Sequence, residues 1–295
     1  MPTIVKRMPA IPQEGTPSPS SEVDHSHQTF EYFSGGGALY DRSRPAYPDA
    51  LITRIVSVMP GRDILDVGCG TGIEARQFQA AGCIVLGVDP DAQMAQYARG
   101  TGVPVEVAAF ETWAADGRTF DAVVAGTAWH CMDPVAAAAK AAQVLRPGGL
   151  LAPFHHASHT PPELDAAVGV TLPSWTSSRS APAYRQAAAD FPLDLNDRAG
   201  SAMDLYQPLF DTMAGGIRKA GGFSEPEQWQ FEWERTYPRD EWLSVLSTRS
   251  AVIKLAPDER AEVLGSVRSL IDGMGGCFSM RYTTVAVTAV RTRTS

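Results

Sequence analysis

Two kinds of apolar pattern alternate along the middle of the chain. "ILDVGC" (64–69) is a short buried run ending in glycine, and "IEARQFQAAG" (73–82) carries apolar residues at helical spacing with a terminal Gly. "CIVLGVD" (83–89) and "DAQMAQYARG" (91–100) repeat that pair, with Asp91 placed to cap the helix. "VPVEVAAF" (103–110) predicts a third strand and "FDAVVAG" (120–126) a fourth. "PVAAAAKAAQVLRPGG" predicts a helix that starts at Pro134 and is stopped by Pro147-Gly148-Gly149, and "LLAPFHH" (150–156) a fifth strand. Short strands alternating with helices of this length imply parallel pairing, with helices on both faces of the sheet.

The alternation stops after His159. Residues 160–222 hold Pro, Ser and Ala clusters and helical pieces such as "MDLYQPLFDTMAGGIRKAG", which reads as an inserted cap or lid. It resumes with "QWQFEWERTY", where Trp229, Phe231 and Trp233 share one strand face. "DERAEVLGSVRSLIDGM" follows as an amphipathic helix with Val263, Leu264, Val267, Leu270 and Ile271 inward, and "MRYTTVAVTAV" is a last strand. The expected fold class is therefore α/β: a doubly wound, mostly parallel seven-stranded sheet with an inserted helical cap. Ahead of it, residues 1–28 lack apolar periodicity and read as a flexible arm. A helical stretch begins near Thr29, "YDRSRPAYP" interrupts it, and "DALITRIVSVM" returns to helical spacing. The division expected is 1–28 arm, 29–60 helical segment, 61–159 core, 160–222 cap and 223–295 completion of the sheet.

Composition narrows the function. The chain has 295 residues, 44% of them hydrophobic and 20% charged, enough for one large domain with insertions. The net charge of -8, without a basic cluster, argues against nucleic-acid binding. The four cysteines are scattered, with no zinc spacing, which suits a reduced compartment. No apolar stretch reaches membrane-spanning length and no secretory signal is evident, so the expectation is a cytoplasmic chain with no membrane partner; oligomerisation stays open.

The glycine turn carries the chemistry. In an open parallel sheet, ligands sit beyond the carboxyl ends of the strands. Here Gly68, Gly70 and Gly72 form G-x-G-x-G, and Ile73 stands where a dinucleotide fingerprint has its third glycine. These glycines suit a ligand pressed against the turn without requiring a pyrophosphate. Asp89, at the end of the second strand, can accept hydrogen bonds from both hydroxyls of an unphosphorylated ribose. Asp66 adds a second negative charge just before the turn. S-adenosylmethionine has a ribose, an ammonium and a sulfonium, and no phosphate, and so satisfies these demands.

"LDVGCGTG" followed by "GVDPDAQM", "AAFETW", "FDAVVAGTAWH" and "VLRPGG" resembles the class I S-adenosylmethionine-dependent methyltransferases over roughly residues 38–156, a family with a Rossmann-like sheet. "YDRSRPAYP", "AWH-x-MDP" and the tail "WERTYPRDEWL…MRYTTVAVTAVR" look like its small-molecule branch, which includes trans-aconitate-type methyltransferases. The resemblance implies that Gly68, Gly70 and Gly72 line the methionyl part of S-adenosyl-L-methionine and that Asp66 lies near its ammonium. It implies that Asp89 holds the ribose, that Met94 and Phe110 pack on the adenine, and that Glu111 lies near the adenine's amine. Thr127 and Ala128 would lie near the methionyl end, with Tyr40 and Arg44 closing over the cofactor and Arg44 facing its carboxylate. The segment 29–60 would then cover the cofactor.

Methyl transfer needs in-line approach and, for a hydroxyl or amine acceptor, proton removal. Histidine is the natural base near neutral pH. His155, His156 and His159 cluster after the fifth strand, and His130 follows the fourth, all at the ligand edge. His155 or His156 is the expected acceptor-side base, with His130 orienting the acceptor; adjacent strand residues face opposite ways, so one of the pair should face the pocket. The family's usual strings there are "AWHW" and "FWN", and the departures here, Cys131 and His155-His156, polarise or widen the acceptor pocket. A metal at H-H-x-x-H is disfavoured, since no Cys or carboxylate completes a ligand set. Trp175, Tyr184, Tyr206 and Phe210 of the cap would offer aromatic faces to a sulfonium, and a small, apolar or aromatic acceptor is expected. Two alternatives stay open: a non-catalytic S-adenosylmethionine-binding protein and, disfavoured by Ile73, a nicotinamide-dependent dehydrogenase.

Overall fold

The computed structural model describes residues 37–161, 163–164, 202–248, 250–253 and 255–292. The arm at 1–28, the helix expected near Thr29, and Trp175 and Tyr184 of the expected cap lie outside the described residues.

Two helices, α1 (Gly37–Ser43) and α2 (Asp49–Val58), precede the sheet, separated by the segment that holds Pro45 and Pro48. The alternation then follows the sequence pattern: β1 (Asp63–Val67), α3 (Ile73–Ala80), β2 (Ile84–Asp89), α4 (Ala92–Gly100), β3 (Val105–Val107), β4 (Phe120–Gly126), α5 (Pro134–Val144) and β5 (Leu145–His159). Asp91 and Asp133 cap α4 and α5, each accepting two backbone N–H bonds, which satisfies donors the helix cannot pair itself. After α6 (Ala202–Ala220) come β6 (Glu227–Pro238), α7 (Arg239–Ser247), α8 (Ser250–Ile253), α9 (Pro257–Gly273) and β7 (Cys277–Val290).

The seven strands lie in the order β3-β2-β1-β4-β5-β7-β6. β3 to β5 are parallel, whereas β7 runs antiparallel between β5 and β6. The order reverses between β1 and β4, the topological switch point at which open sheets bind ligands. Each strand sends alternate residues to opposite faces. Ile64, Val85, Ala122, Val124 and Ala152 join α2 and α3 on one face, where Leu51, Ile55 and Phe78 are fully buried. Leu65, Val88, Val123 and Leu151 join α5 and α6 on the other.

Three expectations change. The third strand is only Val105–Val107, because residues 110–112 coil into a short 3-10 turn. β5 extends to His159, so the histidines sit within the strand rather than after it; the extension is held by β7, which pairs with it as far as His159↔Arg281. The helix at 202–220 packs against α5 and the sheet instead of standing over the edge: Leu209, Phe210, Met213 and Ile217 are fully buried in the α5-side core, so Phe210 is core and not a ligand-facing aromatic. A third core, under α7 and α9, gathers Tyr237, Trp242, Phe278 and Met280; Val267 and Ile271 are the buried residues of α9, with Leu264 and Leu270 packed partly against them.

Candidate active site

The carboxyl ends of β1, β2 and β4 converge on the glycine turn. Gly68, Gly70 and Gly72 have φ of 67°, 52° and 83°, left-handed values that cost glycine little. A Cβ on Gly68 would come within 2.5 Å of the Ala128 Cβ, so the turn after β1 and the end of β4 touch. A Cβ on Gly70 would meet nothing within 4 Å, which leaves open space over that part of the turn. Thr127 itself has φ of 55°, unusual for a β-branched residue. It is held there by its N–H donating to Phe154 O at 2.8 Å and by a 2.9 Å contact between its hydroxyl and that of Tyr47.

Three acids gather beneath this turn. Asp89 accepts from the Gly70 N–H at 2.7 Å and the Asp91 N–H at 2.8 Å, which fixes the shape of the turn and leaves further lone pairs on its oxygens. Burial pushes its pKa up to about 6, against those two hydrogen bonds. Glu74, in the first turn of α3, accepts from the Gly126 N–H at 3.0 Å and is pushed up to about 8, chiefly by burial. Asp66 is fully buried, and neither of its carboxylate oxygens has a hydrogen-bond partner. Its pKa stands well above the usual carboxylate range, first from burial and then from the charges of Glu74 and Asp89. An orphaned buried carboxyl costs free energy unless a ligand supplies the missing donors.

The other sequence-named residues fall around this centre. Met94 is buried in the first turn of α4, and Phe110 is buried in the α5-side core just beyond β3, with Glu111 half-buried beside it. Tyr40, on α1, lies under the Arg44 guanidinium, 4.8 Å from the ring centre, and burial raises its pKa. Arg44 donates from Nη2 to Thr248 O at 3.3 Å, while its buried Nε has no hydrogen-bond partner.

His155 and His156 point to opposite faces of β5. His155, buried, meets His130 edge-on at 5.3 Å and Tyr206 at 5.8 Å, and its Nδ1 has no hydrogen-bond partner. His156 stacks on Tyr47 at 4.4 Å and contacts Trp233 and Tyr282. His159 reaches Thr283 instead. Burial lowers all of these imidazoles: His130 to about 4, His156 to about 3, and His155 well below its ordinary value. At neutral pH they are uncharged. Among the described residues, no group of three or more His, Cys, Asp or Glu is placed to hold a metal ion, and no helix is long and apolar enough to cross a membrane.

Sequence reasoning passed over Tyr47, Glu74 and Thr284. Glu74 left a faint signal, an acid two residues past the last glycine on a helix turn that must pack inward. Tyr47 lay in a segment read as a helix interruption and as part of the family resemblance, and Thr284 in a strand read for its apolar alternation alone.

Residues 65–152 match the family model described as a methyltransferase domain. Over that segment the chain is similar to methyltransferase domains. An uncharacterized methyltransferase of Mycobacterium tuberculosis is 36% identical over 122 residues, which cover 40% of this chain and 49% of that protein. A ubiquinone biosynthesis O-methyltransferase of Parvibaculum lavamentivorans is 30% identical over 119 residues, 38% of this chain and 47% of that protein. The chain thus spans about half the length of the curated relatives it matches. A solved structure from Anaeromyxobacter dehalogenans, provisionally named a type II methyltransferase, is 25% identical with a TM-score of 0.55, covering 83% of this chain and 97% of its own. The matched segment contains the glycine turn, Asp66, Glu74, Asp89 and the end of β4, which converge at the switch point.

Proposed function

We propose that this chain transfers the methyl group of S-adenosyl-L-methionine to an O, N or C atom of a small, apolar or aromatic metabolite. The observation that carries the reading is Asp66: a buried carboxyl with two unpartnered oxygens, beside a glycine turn at the switch point. A cationic amine is the group that relieves such a site. Asp66 would take the ammonium, Asp89 the ribose hydroxyls through its remaining lone pairs, and Gly68, Gly70 and Gly72 would let the backbone lie close. Thr127 and Ala128 would border the methionyl end, Arg44 would face the carboxylate with its unpaired Nε, and Tyr40 would close over it. Met94, Phe110 and Glu111 would border the adenine. When bound, the sulfonium supplies an activated methyl group and a good leaving group.

The protein's own part is to orient the acceptor, exclude water and manage one proton. His155, His130 and Tyr206 form one wall, and His156 with Tyr47, Trp233 and Tyr282 another. Uncharged imidazoles can accept a proton at Nδ1 of His155 once the attacking atom becomes acidic. The three nearby acids disfavour a polyanionic acceptor and the aromatic walls favour a ring. Calorimetry with S-adenosylhomocysteine tests the cofactor site: heat of binding is expected, and none on folded protein overturns it. Methyl-labelled S-adenosylmethionine with a cell metabolite extract tests transfer: label in a small molecule is expected, and binding without label would leave a non-catalytic binding protein.

A further inference from the structure

The two adjacent histidines of β5 differ in what their neighbours allow. Thr284 on β7 is fully buried directly across from His156 in the ladder. Its hydroxyl makes two contacts: Trp233 Nε1 at 2.8 Å and His156 Nδ1 at 2.9 Å. An indole N–H can only donate, so the Thr284 oxygen accepts from Trp233. The hydroxyl has a single proton, and His156 Nδ1 is the one acceptor within its reach in these contacts. A buried O–H left without an acceptor costs about 1–3 kcal/mol. The proton therefore goes to Nδ1, which must then be bare, and the ring's own hydrogen sits on Nε2. That Nε2 is buried with no hydrogen-bond partner.

We infer that Thr284 positions His156 as its Nε2–H tautomer, with Nδ1 committed to the hydroxyl, which leaves His155, on the opposite face of β5, as the base. The inference rests on the proposed methyl transfer for the word base, though the tautomer stands on the fold alone. His156 borders the cofactor turn through Tyr47, which stacks on the imidazole and bonds Thr127 with its hydroxyl. Burial, aided by the charge of Arg44, keeps the ring neutral at physiological pH, so one tautomer is a defined state. His155 has no comparable lock: its Nδ1 is unpartnered, and its ring neighbours are His130, edge-on, and Tyr206, tilted at 43°.

Long-range 1H–15N NMR of the full chain with labelled histidine reads the tautomer directly, the His156 signals being assigned by their loss in His156→Phe. Wild type and Thr284→Ser should show Nε2 protonated and Nδ1 bare; Thr284→Val should show a mixture of tautomers. Nδ1 protonated in wild type, or no change in Thr284→Val, overturns the inference. Label transfer into a metabolite extract checks the assignment of the base: His155→Gln should lose about 100-fold or more, and an undiminished rate overturns it. Absence of transfer by wild type, with the expected NMR pattern intact, counts against the proposed reaction and not against the tautomer.

Discussion

Replacing Asp66 by Asn separates what the acid does for the ligand from what it does to the fold. The side chain is completely buried, has no hydrogen bond at either oxygen, and faces the charges of Glu74 and Asp89. The amide is nearly the same size and brings no charge, so it removes the repulsion that Glu74 and Asp89 exert on a buried carboxylate. Leaving a buried polar group unsatisfied costs about 1–3 kcal/mol, so the ligand-free Asp66→Asn protein should be more stable than wild type by that order. At about 2 °C per kcal/mol for a chain of this size, the melting temperature should rise by roughly 2–6 °C. Binding should move the other way. A hydrogen bond to a charged group contributes about 1.5–3 kcal/mol, so the affinity for S-adenosylhomocysteine should fall by roughly 10- to 150-fold. Thermal melts with and without S-adenosylhomocysteine, together with calorimetry, measure both quantities. The variant should melt higher alone, yet gain less from ligand than wild type. A variant that melts lower without ligand and binds as tightly would refute the reasoning, because Asp66 would then be a structural acid with partners of its own.

Other expectations follow from the same geometry. The buried acids hold protons in the folded chain that the unfolded chain has released, so their contribution falls as pH rises; the buried histidines stay neutral where the unfolded chain would be protonated, so theirs falls as pH drops below 6.5. The two trends oppose each other up to about pH 7.5; above it the unfolded chain's histidines are already neutral and Glu74, at about 8, is left to titrate. Urea unfolding should therefore show ligand-free stability dropping by about 1 kcal/mol between pH 7.5 and 9.5, and a flat or rising profile would count against the burial of Glu74. Phe210→Ala should destabilise the protein by about 3–5 kcal/mol, since the ring is core between α6 and the sheet; a lid residue would leave the melting temperature unchanged. Gly68→Ala should abolish S-adenosylhomocysteine binding, because a methyl there lies 2.5 Å from Ala128 and strains a φ of 67°; undiminished binding would show that the turn has room to shift.

How much of this was legible depends on the range over which each feature is set. The strand–helix alternation, the left-handed glycines and the caps Asp91 and Asp133 are local matters, decided within a few residues, and apolar period and residue type reveal them. Asp89 was legible as well, because its distance from the glycine turn is a property of one βαβ unit. The extension of β5 was not, since its partner β7 lies more than a hundred residues downstream and nothing in "FHHASH" says what pairs with it. The role of α6 was missed for a similar reason. A helical period shows that one face is buried, but not whether the burial is against the sheet or against a ligand. Thr284 was hidden further still, because its significance comes from two side chains on two other strands.

The antiparallel end of the sheet explains where the acceptor side comes from. β4 ends at Gly126, opposite Phe154, so β5 beyond that point has outrun its parallel neighbour. From His155 to His159 it is paired by β7 alone, and β7 in turn by β6. A lone projecting strand would expose its backbone groups and fray. Backed by two antiparallel neighbours, it stands as a rigid wall beyond the edge on which the glycine turn lies. Position then decides chemistry. Leu150 to Phe154 of β5 are buried and apolar between the helices, whereas the residues from His155 onward lie past the end of β4 and carry imidazoles. In the proposed reaction, the parallel half of the sheet would supply buried acids and free backbone for a cationic nucleoside, and the antiparallel half uncharged rings for the group that receives the methyl. Because the two halves share β5, a ligand held by one is held at a fixed distance from the other, which is the positioning that in-line transfer requires.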